Sequence, residues 1–566
     1  MKYYKTLFFI ILLCTSTKAE AQLSTNEKPV SFVRESELPV NFRNTVPIVT
    51  MPQLDMEKIA KEDEEDEGYD MPFRFGYSHL VNYDLNNCGK WFELSNGDRL
   101  WQLNIICPNA LSINLCYDKF WLPDGGKFFV YSKDRKHTLG AFTSKNNKGS
   151  RNVTRGFATE LVFSDDIILE YYQPKEVVLN AIISIEHVVH GYRNIRLDES
   201  GYGTSDMCMV NVNCEEGQNW QYEKRAIARV LYCRTASSGS LITTTSLNGE
   251  PYFLTANHCV TGKEKDAIHD PNYDQAVFYW NYETPGCINP IIEPTNYTTT
   301  SGATVIANYG IPDFALLRLT EDPLSIDDYE PYYLGWDRSG HSGLPGVCIH
   351  HPRGDVKKIS TVLYQPDSIT YITPDKVYWN VYWKQTENGH GVVNPGSSGS
   401  PLLNGAHKVI GQLRASETEN CNYSRKSYYG RFSVSWVGNG ISTDSIHRRL
   451  DCWLDSLNTG AQTMEGLLIV RSANTISTNQ QLYGNIRITS TGQLSVQSNV
   501  ELMGNSRLIV ENGGILIVNA GTLSNVDLDI KPGATIQIIN GGIIETRNGF
   551  EAPIGTTVEI IDGQIQ

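Results

Sequence analysis

Positive charge is in short supply in this chain: 48 Lys and Arg stand against 63 Asp and Glu, a net charge of −15. Without a basic stripe to neutralise phosphates, a nucleic-acid partner is excluded, and the acidic surplus speaks for solubility. Long hydrophobic runs are scarce too. The first, Leu7–Leu13, falls far short of the ~20 apolar residues a membrane span needs, and no later segment could cross a bilayer. Sustained helical periodicity is rare before Ser445–Asp455, which argues against a helical bundle. Cys and Trp end at Cys452 and Trp453, so whatever follows is built without disulfides.

What is present begins with a leader pattern. Lys2 and Lys5 precede the short apolar core, and Ala19-Glu20-Ala21 supplies a small-residue cleavage site. Residues 1–21 read as a signal peptide, which places the mature chain outside the cell, where disulfides are permitted. Cys14 lacks the small residue before it that a lipid attachment site would have. At 566 residues the chain is too long for one core. Residues 22–70 carry four prolines and the run Lys61-Glu62-Asp63-Glu64-Glu65-Asp66-Glu67, read as a flexible, solvated acidic tether. Residues 71–204 turn to short alternating segments such as Leu100–Ile105, Lys127–Tyr131 and Ile167–Tyr172, separated by turns like Pro123-Asp124-Gly125-Gly126. That spacing predicts a β-sandwich. His187 and His190 lie three apart without a third ligand nearby and are read as structural, not metal-binding.

Three stretches carry chemistry. In Asn394-Pro395-Gly396-Ser397-Ser398-Gly399-Ser400-Pro401 small residues let the backbone turn tightly around Ser398. In Tyr252–Cys259 an apolar run leads into a turn that carries His258. In Ile311–Leu319 the acid Asp313 stands at the mouth of a strand-like segment. A serine hydroxyl attacks an amide only when a base takes its proton, and that base needs an acid to fix its tautomer. The order His258, Asp313, Ser398 is that of the chymotrypsin barrel. The N–H groups of Gly396 and Ser398 would then form an oxyanion hole.

These stretches, together with Trp280-Asn281-Tyr282, Gly335-Trp336-Asp337-Arg338, Ile349-His350-His351-Pro352, Ile410–Leu413, Tyr429-Gly430-Arg431 and Trp453-Leu454-Asp455, resemble the bacterial lysyl endopeptidase family of secreted chymotrypsin-type serine proteases. The resemblance runs from about Cys208 to about Ala461 and implies a double β-barrel over residues 205–461. It implies the disulfides Cys208–Cys421, Cys214–Cys287 and Cys233–Cys259, and a structural role for His350-His351. It also implies that the preceding sandwich is a pro-domain, with the boundary and processing region between Asp198 and Asp206. Ser397 stands where chymotrypsin has the acid that receives its new N-terminus, so activation is expected to depend on removing or displacing the N-terminal region. Cys107 and Cys116 are close enough to bridge a hairpin; Cys88, Cys348 and Cys452 remain unassigned.

The family's lysine preference rests on an acid in the substrate pocket, and this chain departs from it. Ser427 stands at that position and Arg414 replaces a pocket-side His, while the neighbouring Trp is kept as Trp383. A buried Lys ammonium would lack a counter-charge. Arg414 favours an acidic side chain at P1, the residue just before the cleaved bond, unless it points to solvent or is neutralised by Glu417 or Glu419.

After residue 461 the composition shifts to Ile, Val, Leu, Gly, Asn and Thr. Segments such as Arg507–Val510, Ile515–Val518 and Thr535–Ile538 recur between turns such as Asn512-Gly513-Gly514. That recurrence predicts a β-solenoid over 462–566, open between surface attachment and passive stabilisation. The sequence thus reads as a mainly β, secreted serine endopeptidase that acts on proteins or peptides without metal or organic cofactor. The rival is a catalytically silent surface-binding protein, and an esterase with the same triad is a minor third reading.

Overall fold

Hydrophobic alternation in the N-terminal region resolves into two facing sheets. The computed structural model describes residues 27–67, 71–195, 204–261, 273–289, 293–326, 329–343, 345–363, 367–369, 377–417, 421, 426–438 and 445–566. One sheet centres on Arg99–Ile106 and Asp166–Gln173, paired antiparallel, with Lys127–Ser132 beyond. The other runs Gly76–Asp84, Ile182–Gly191, Ser112–Trp121, Arg155–Ala158. Leu103, Ile105, Leu115, Tyr117, Phe128, Val130 and Leu169 fill the space between them, each fully buried. The N-terminal sandwich follows from these alternating faces.

The acidic segment departs from its reading as a flexible tether. Val30, Leu38, Phe42 and Val46 pack with Phe92, Leu100 and Phe129 in a core of their own. Ile48–Thr50 joins the first sheet, parallel to Asn104–Ile106. Met56–Glu67 is a helix, and its Asp63 is buried. The Asp63 carboxylate accepts from Tyr192 Oη at 2.9 Å and Arg193 Nη2 at 2.7 Å, and pairs with Arg74 Nε at 3.1 Å. An acidic run looks solvated in sequence because nothing local says which acid meets distant arginines.

Two mainly antiparallel sheets form the middle region. The first orders as Thr298–Ser301, Ala276–Trp280, Ile227–Tyr232, Thr235–Leu241, Tyr252–Ala256, Phe314–Leu319, Ala303–Tyr309. The second includes Val347–His350, Pro401–Leu403, Lys408–Ser416, Ser427–Arg431 and Tyr378–Val381. Phe73–Arg74 of the N-terminal region adds a further strand to the first sheet, beside Thr235–Ala236.

The C-terminal region is a parallel β-solenoid with ladders up to five strands deep, one of them Ala473–Ile476, Gln493–Val496, Ile515–Asn519, Thr535–Ile539, Thr557–Ile561. The register stacks Leu494 on Leu516 and Ile536, and Val496 on Val518 and Ile538, all fully buried. Gly513 and Gly533, both at φ +86°, make the corners that an L side chain would strain.

The solenoid does not hang free. Its first coil pairs Gly466–Val470 with Tyr332–Tyr333, and Thr463–Met464 with Trp336–Asp337. The His407 ring lies between Tyr483 at 3.6 Å and Trp220 at 3.9 Å, and buried Lys408 meets Glu465 at 2.8 Å. Barrel and solenoid share one hydrophobic core. Truncation after Ala461 uncovers Tyr332 and Tyr333 and should destabilise the barrel by roughly 3–6 kcal/mol, at ~1.5–3 kcal/mol per large apolar side chain. Urea unfolding followed by tryptophan fluorescence checks this; an unchanged midpoint would make the solenoid an independent appendage.

Candidate active site

The two sheets of the barrel meet at a few contacts that fix where the chemistry-bearing residues stand. His258 is the second residue of the short helix Asn257–Thr261, which directly follows the strand Tyr252–Ala256, and Asp313 precedes Phe314–Leu319, that strand's antiparallel neighbour. His258 Nδ1 lies 2.7 Å from Asp313 Oδ2, and the His258 N–H donates to Asp313 Oδ1 at 3.0 Å. Asp313 holds a left-handed backbone at φ 59°, a conformation that surrounding structure must impose. Part of that surrounding comes from the second sheet. Gln412 Nε2 donates to Pro312 O at 2.7 Å, and a Cβ on Gly430 would fall 1.8 Å from the same oxygen.

Ser398 sits on the loop before Pro401–Leu403. Its carbonyl accepts from Ser238 N at 2.9 Å. Gly399, at φ +82°, lies against the strand that leads into His258: a Cβ there would come within 2.1 Å of Thr255 Oγ1. Gly396, at φ +94°, packs so closely on Arg353 that a Cβ would sit 2.7 Å from its nitrogen. The Ser398 loop thus packs against the strand that leads into His258, and His258, Asp313 and Ser398 are each at most 7% exposed.

Burial disfavours a charged His258, but the Asp313 carboxylate and the Cys259 sulfur outweigh it and hold the imidazole well above its ordinary value. Nε2, which faces the nucleophile in a working triad, contacts Cys259 Sγ at 3.7 Å. Among the described residues no hydrogen bond joins His258 to Ser398 Oγ.

His350 is hydrogen-bonded to the loop that carries Ser398. Its Nδ1 lies 2.7 Å from Ser397 Oγ and its Nε2 3.0 Å from Ser360 Oγ, so it braces the nucleophile loop from below. Burial pushes His350 down to about 3, and a neutral ring can donate from one nitrogen while accepting at the other. The signal was available: His350 ends the strand that pairs with Leu402–Leu403. Its partner His351 bonds Asp355 O through Nδ1 at 2.9 Å.

Of the pocket residues expected from sequence, Arg414 and Ser427 stand on strands of the second sheet and Trp383 follows its strand Tyr378–Val381. Trp383 Nε1 donates to the Ser427 hydroxyl at 2.9 Å, and both residues are buried. Arg414 is buried as well, its guanidinium over the Tyr378 ring and donating to the Tyr378 hydroxyl. Glu417 accepts from Tyr428 Oη at 2.8 Å, whereas Glu419 lies outside the described residues.

Two of the expected disulfides are present, Cys208–Cys421 and Cys214–Cys287. The third differs. Cys233 bonds Cys116 of the N-terminal sandwich, leaving Cys259 as a buried thiol. Cys107 does not bridge to Cys116 either and is a buried thiol. The reason is placement: Ser112–Trp121 packs against the barrel, and Asn114 Nδ2 donates to Cys233 O at 3.1 Å. Cys116 thereby reaches a partner 117 residues away.

A family model for the lysyl endopeptidase C-terminal domain matches residues 202–430. A lysyl endopeptidase of Pseudomonas aeruginosa is 29% identical over 309 residues, covering 50% of this chain and 62% of that protein. The chain therefore spans less than two thirds of that relative's length. Solved structures resembling part of the chain include the HtrA-type protease AlgW with a tripeptide (15% identity, 37% of this chain, 56% of that one, TM-score 0.24). They also include the Rv3671c protease of M. tuberculosis in its active form (14%, 41%, 88%, TM-score 0.25). Over residues 202–430 this chain is similar to the lysyl endopeptidase family, and it carries two of the disulfides that the resemblance implied.

Proposed function

We propose that this chain is the precursor of a secreted serine endopeptidase. Ser398 attacks the scissile carbonyl of a protein or peptide substrate. His258 accepts its proton and returns it to the leaving amine, and Asp313 holds the imidazole in the tautomer this requires. The Gly396 and Ser398 N–H groups stabilise the tetrahedral oxyanion before the acyl-enzyme collapses to product. The observation that carries the reading is the 2.7 Å His258–Asp313 pair on one sheet, set against the Ser398 loop of the other. The contact of His258 with Cys259 in place of Ser398 supports a latent state that needs rearrangement.

P1 is acidic in this reading, not lysine. The Ser427 hydroxyl is engaged by Trp383, and neither group carries charge that could meet a buried ammonium. Arg414 is the cation on that wall, and a carboxylate would take charge-assisted hydrogen bonds from it. Peptide-library cleavage mapped by mass spectrometry, with processed protein beside Ser398→Ala, is the test. Serine-dependent cuts after Glu or Asp support the assignment. Cuts after Lys would overturn the P1 reading while leaving the enzyme. An absence of serine-dependent cuts, with no fluorophosphonate labelling at Ser398, would favour the silent surface-binding alternative.

A further inference from the structure

The Cys116–Cys233 bond has a consequence for release of the N-terminal sandwich. Cutting the chain anywhere between residues 196 and 203 breaks one covalent connection and leaves this one. Non-covalent ties hold as well: Arg155 forks onto Asp274, and Gln275 Nε2 donates to Tyr117 O at 3.1 Å. None of these prevents dissociation as a covalent bond does. A cut precursor would keep its sandwich until the disulfide is opened.

A nucleophile for opening it is already in the barrel. Cys259 is a buried thiol, and its backbone carbonyl accepts from Tyr273 Oη at 3.2 Å. The Tyr273 ring stacks at 4.2 Å on Tyr232, the residue next to Cys233. Cys259 and Cys233 therefore flank one aromatic pair. Cys259 Sγ also lies 3.7 Å from His258 Nε2, a buried imidazole able to draw off the thiol proton. On the other side of the bond, His187 stands directly across from Cys116 in the strand register, and its buried Nδ1 has no hydrogen-bond partner among the described residues.

We infer that Cys116, Cys233 and Cys259 form an intramolecular thiol–disulfide exchange site that releases the N-terminal sandwich. His258 Nε2 takes the proton of Cys259, and the thiolate attacks Cys233 Sγ. The Cys233–Cys259 bond forms as the Cys116–Cys233 bond breaks. Cys116 leaves as a thiolate and takes up a proton on the His187 side. One disulfide is made and one lost, so no external oxidant or reductant enters. While the chain is uncut, Cys116 stays at high effective concentration and the exchange runs both ways. After the cut the sandwich diffuses away and the exchange becomes one-way. The same step removes the Cys259 thiol from His258 Nε2 and leaves that nitrogen open to Ser398 Oγ, so release and completion of the triad are one event. The exchange itself does not require Ser398.

The test uses the full chain with Ser398→Ala, to prevent self-cleavage, and a recognition sequence for a site-specific protease placed within residues 196–203. Samples are quenched with N-ethylmaleimide at intervals after the cut, run without reductant, and mapped by mass spectrometry. The expected result is a Cys116–Cys233 peptide before the cut. Afterwards a free N-terminal fragment and a Cys233–Cys259 peptide accumulate together, and the maleimide label moves from Cys259 to Cys116. Adding Cys259→Ser should leave the fragment attached until dithiothreitol is supplied. If that variant fails to fold, Cys116→Ser serves in its place: its secreted, uncut chain should carry the Cys233–Cys259 bond from the outset. Persistence of Cys116–Cys233 after the cut, release from Cys259→Ser at the unaltered rate, or a secreted precursor that never contains Cys116–Cys233 would each overturn the inference.

Discussion

Asp313→Asn should leave the fold in place and lower kcat by about 10⁴-fold with little change in KM. The His258 ring is held through Nδ1, which must carry a proton for Nε2 to accept one from Ser398. The carboxylate enforces that arrangement at 2.7 Å because it can only accept. An amide at the same place can present its NH2 group to Nδ1 instead, which stabilises the opposite tautomer and turns Nε2 into a donor. The second carboxylate oxygen accepts the His258 backbone N–H, and the side-chain oxygen of Asn can retain that bond, so the local turn survives. Asn also tolerates the left-handed φ of 59° better than most residues, which removes backbone strain as a confounding cause. Steady-state kinetics of the processed enzyme on its best peptide decides the matter. A kcat loss below tenfold would mean that Asp313 does not orient the base.

The parts of this molecule legible in the sequence are those written in short range. The tight loop around Ser398 is written in glycines that turn within a few residues, and the solenoid in turns such as Asn512-Gly513-Gly514 repeated between apolar runs. The coil length is visible in the register: Ala473 pairs with Gln493, and Gln493 with Ile515. Long-range pairing was not legible. Nothing near Asp63 in sequence distinguishes it from the acids beside it, yet it is buried against Arg74 and Arg193. His350 looks like a core residue until Ser397 is folded onto it. Cys116 has Cys107 nine residues away and bonds a cysteine in another domain, because the strand faces, not the sequence spacing, decide which sulfurs meet.

Removing the carboxylate of Glu283 should be among the most destabilising single changes in the barrel. Glu283 receives Lys224 Nζ at 2.6 Å and Lys357 Nζ at 3.2 Å, and the Lys357 side chain has no exposure at all. Lys357 stands next to the strand Lys358–Thr361, while Glu283 follows the turn after Ala276–Trp280, so the cluster joins the two sheets. Burial works against the Glu283 carboxylate, but the two ammoniums overcome it and hold the group down at about 2. Lys357 is pulled below its ordinary value, first by burial and then by competition with Lys224, with Glu283 opposing both. Glu283→Gln keeps the shape and strands a buried ammonium, at a cost of about 3–5 kcal/mol. The pH dependence gives an independent figure of the same size. A carboxyl near 4.5 when unfolded and near 2 when folded contributes about 3 kcal/mol, at ~1.4 kcal/mol per pH unit. Because the folded value is the depressed one, that stability is fully present above pH 4.5 and is lost as the pH falls toward 2. Urea midpoints measured from pH 7 down to pH 2.5 should therefore converge for the parent and Glu283→Gln at the acidic end and stand furthest apart at neutrality. Equal midpoints at pH 7 would show that the Lys357 charge finds relief elsewhere, and a gap that widens on acidification would reverse the assignment of sign.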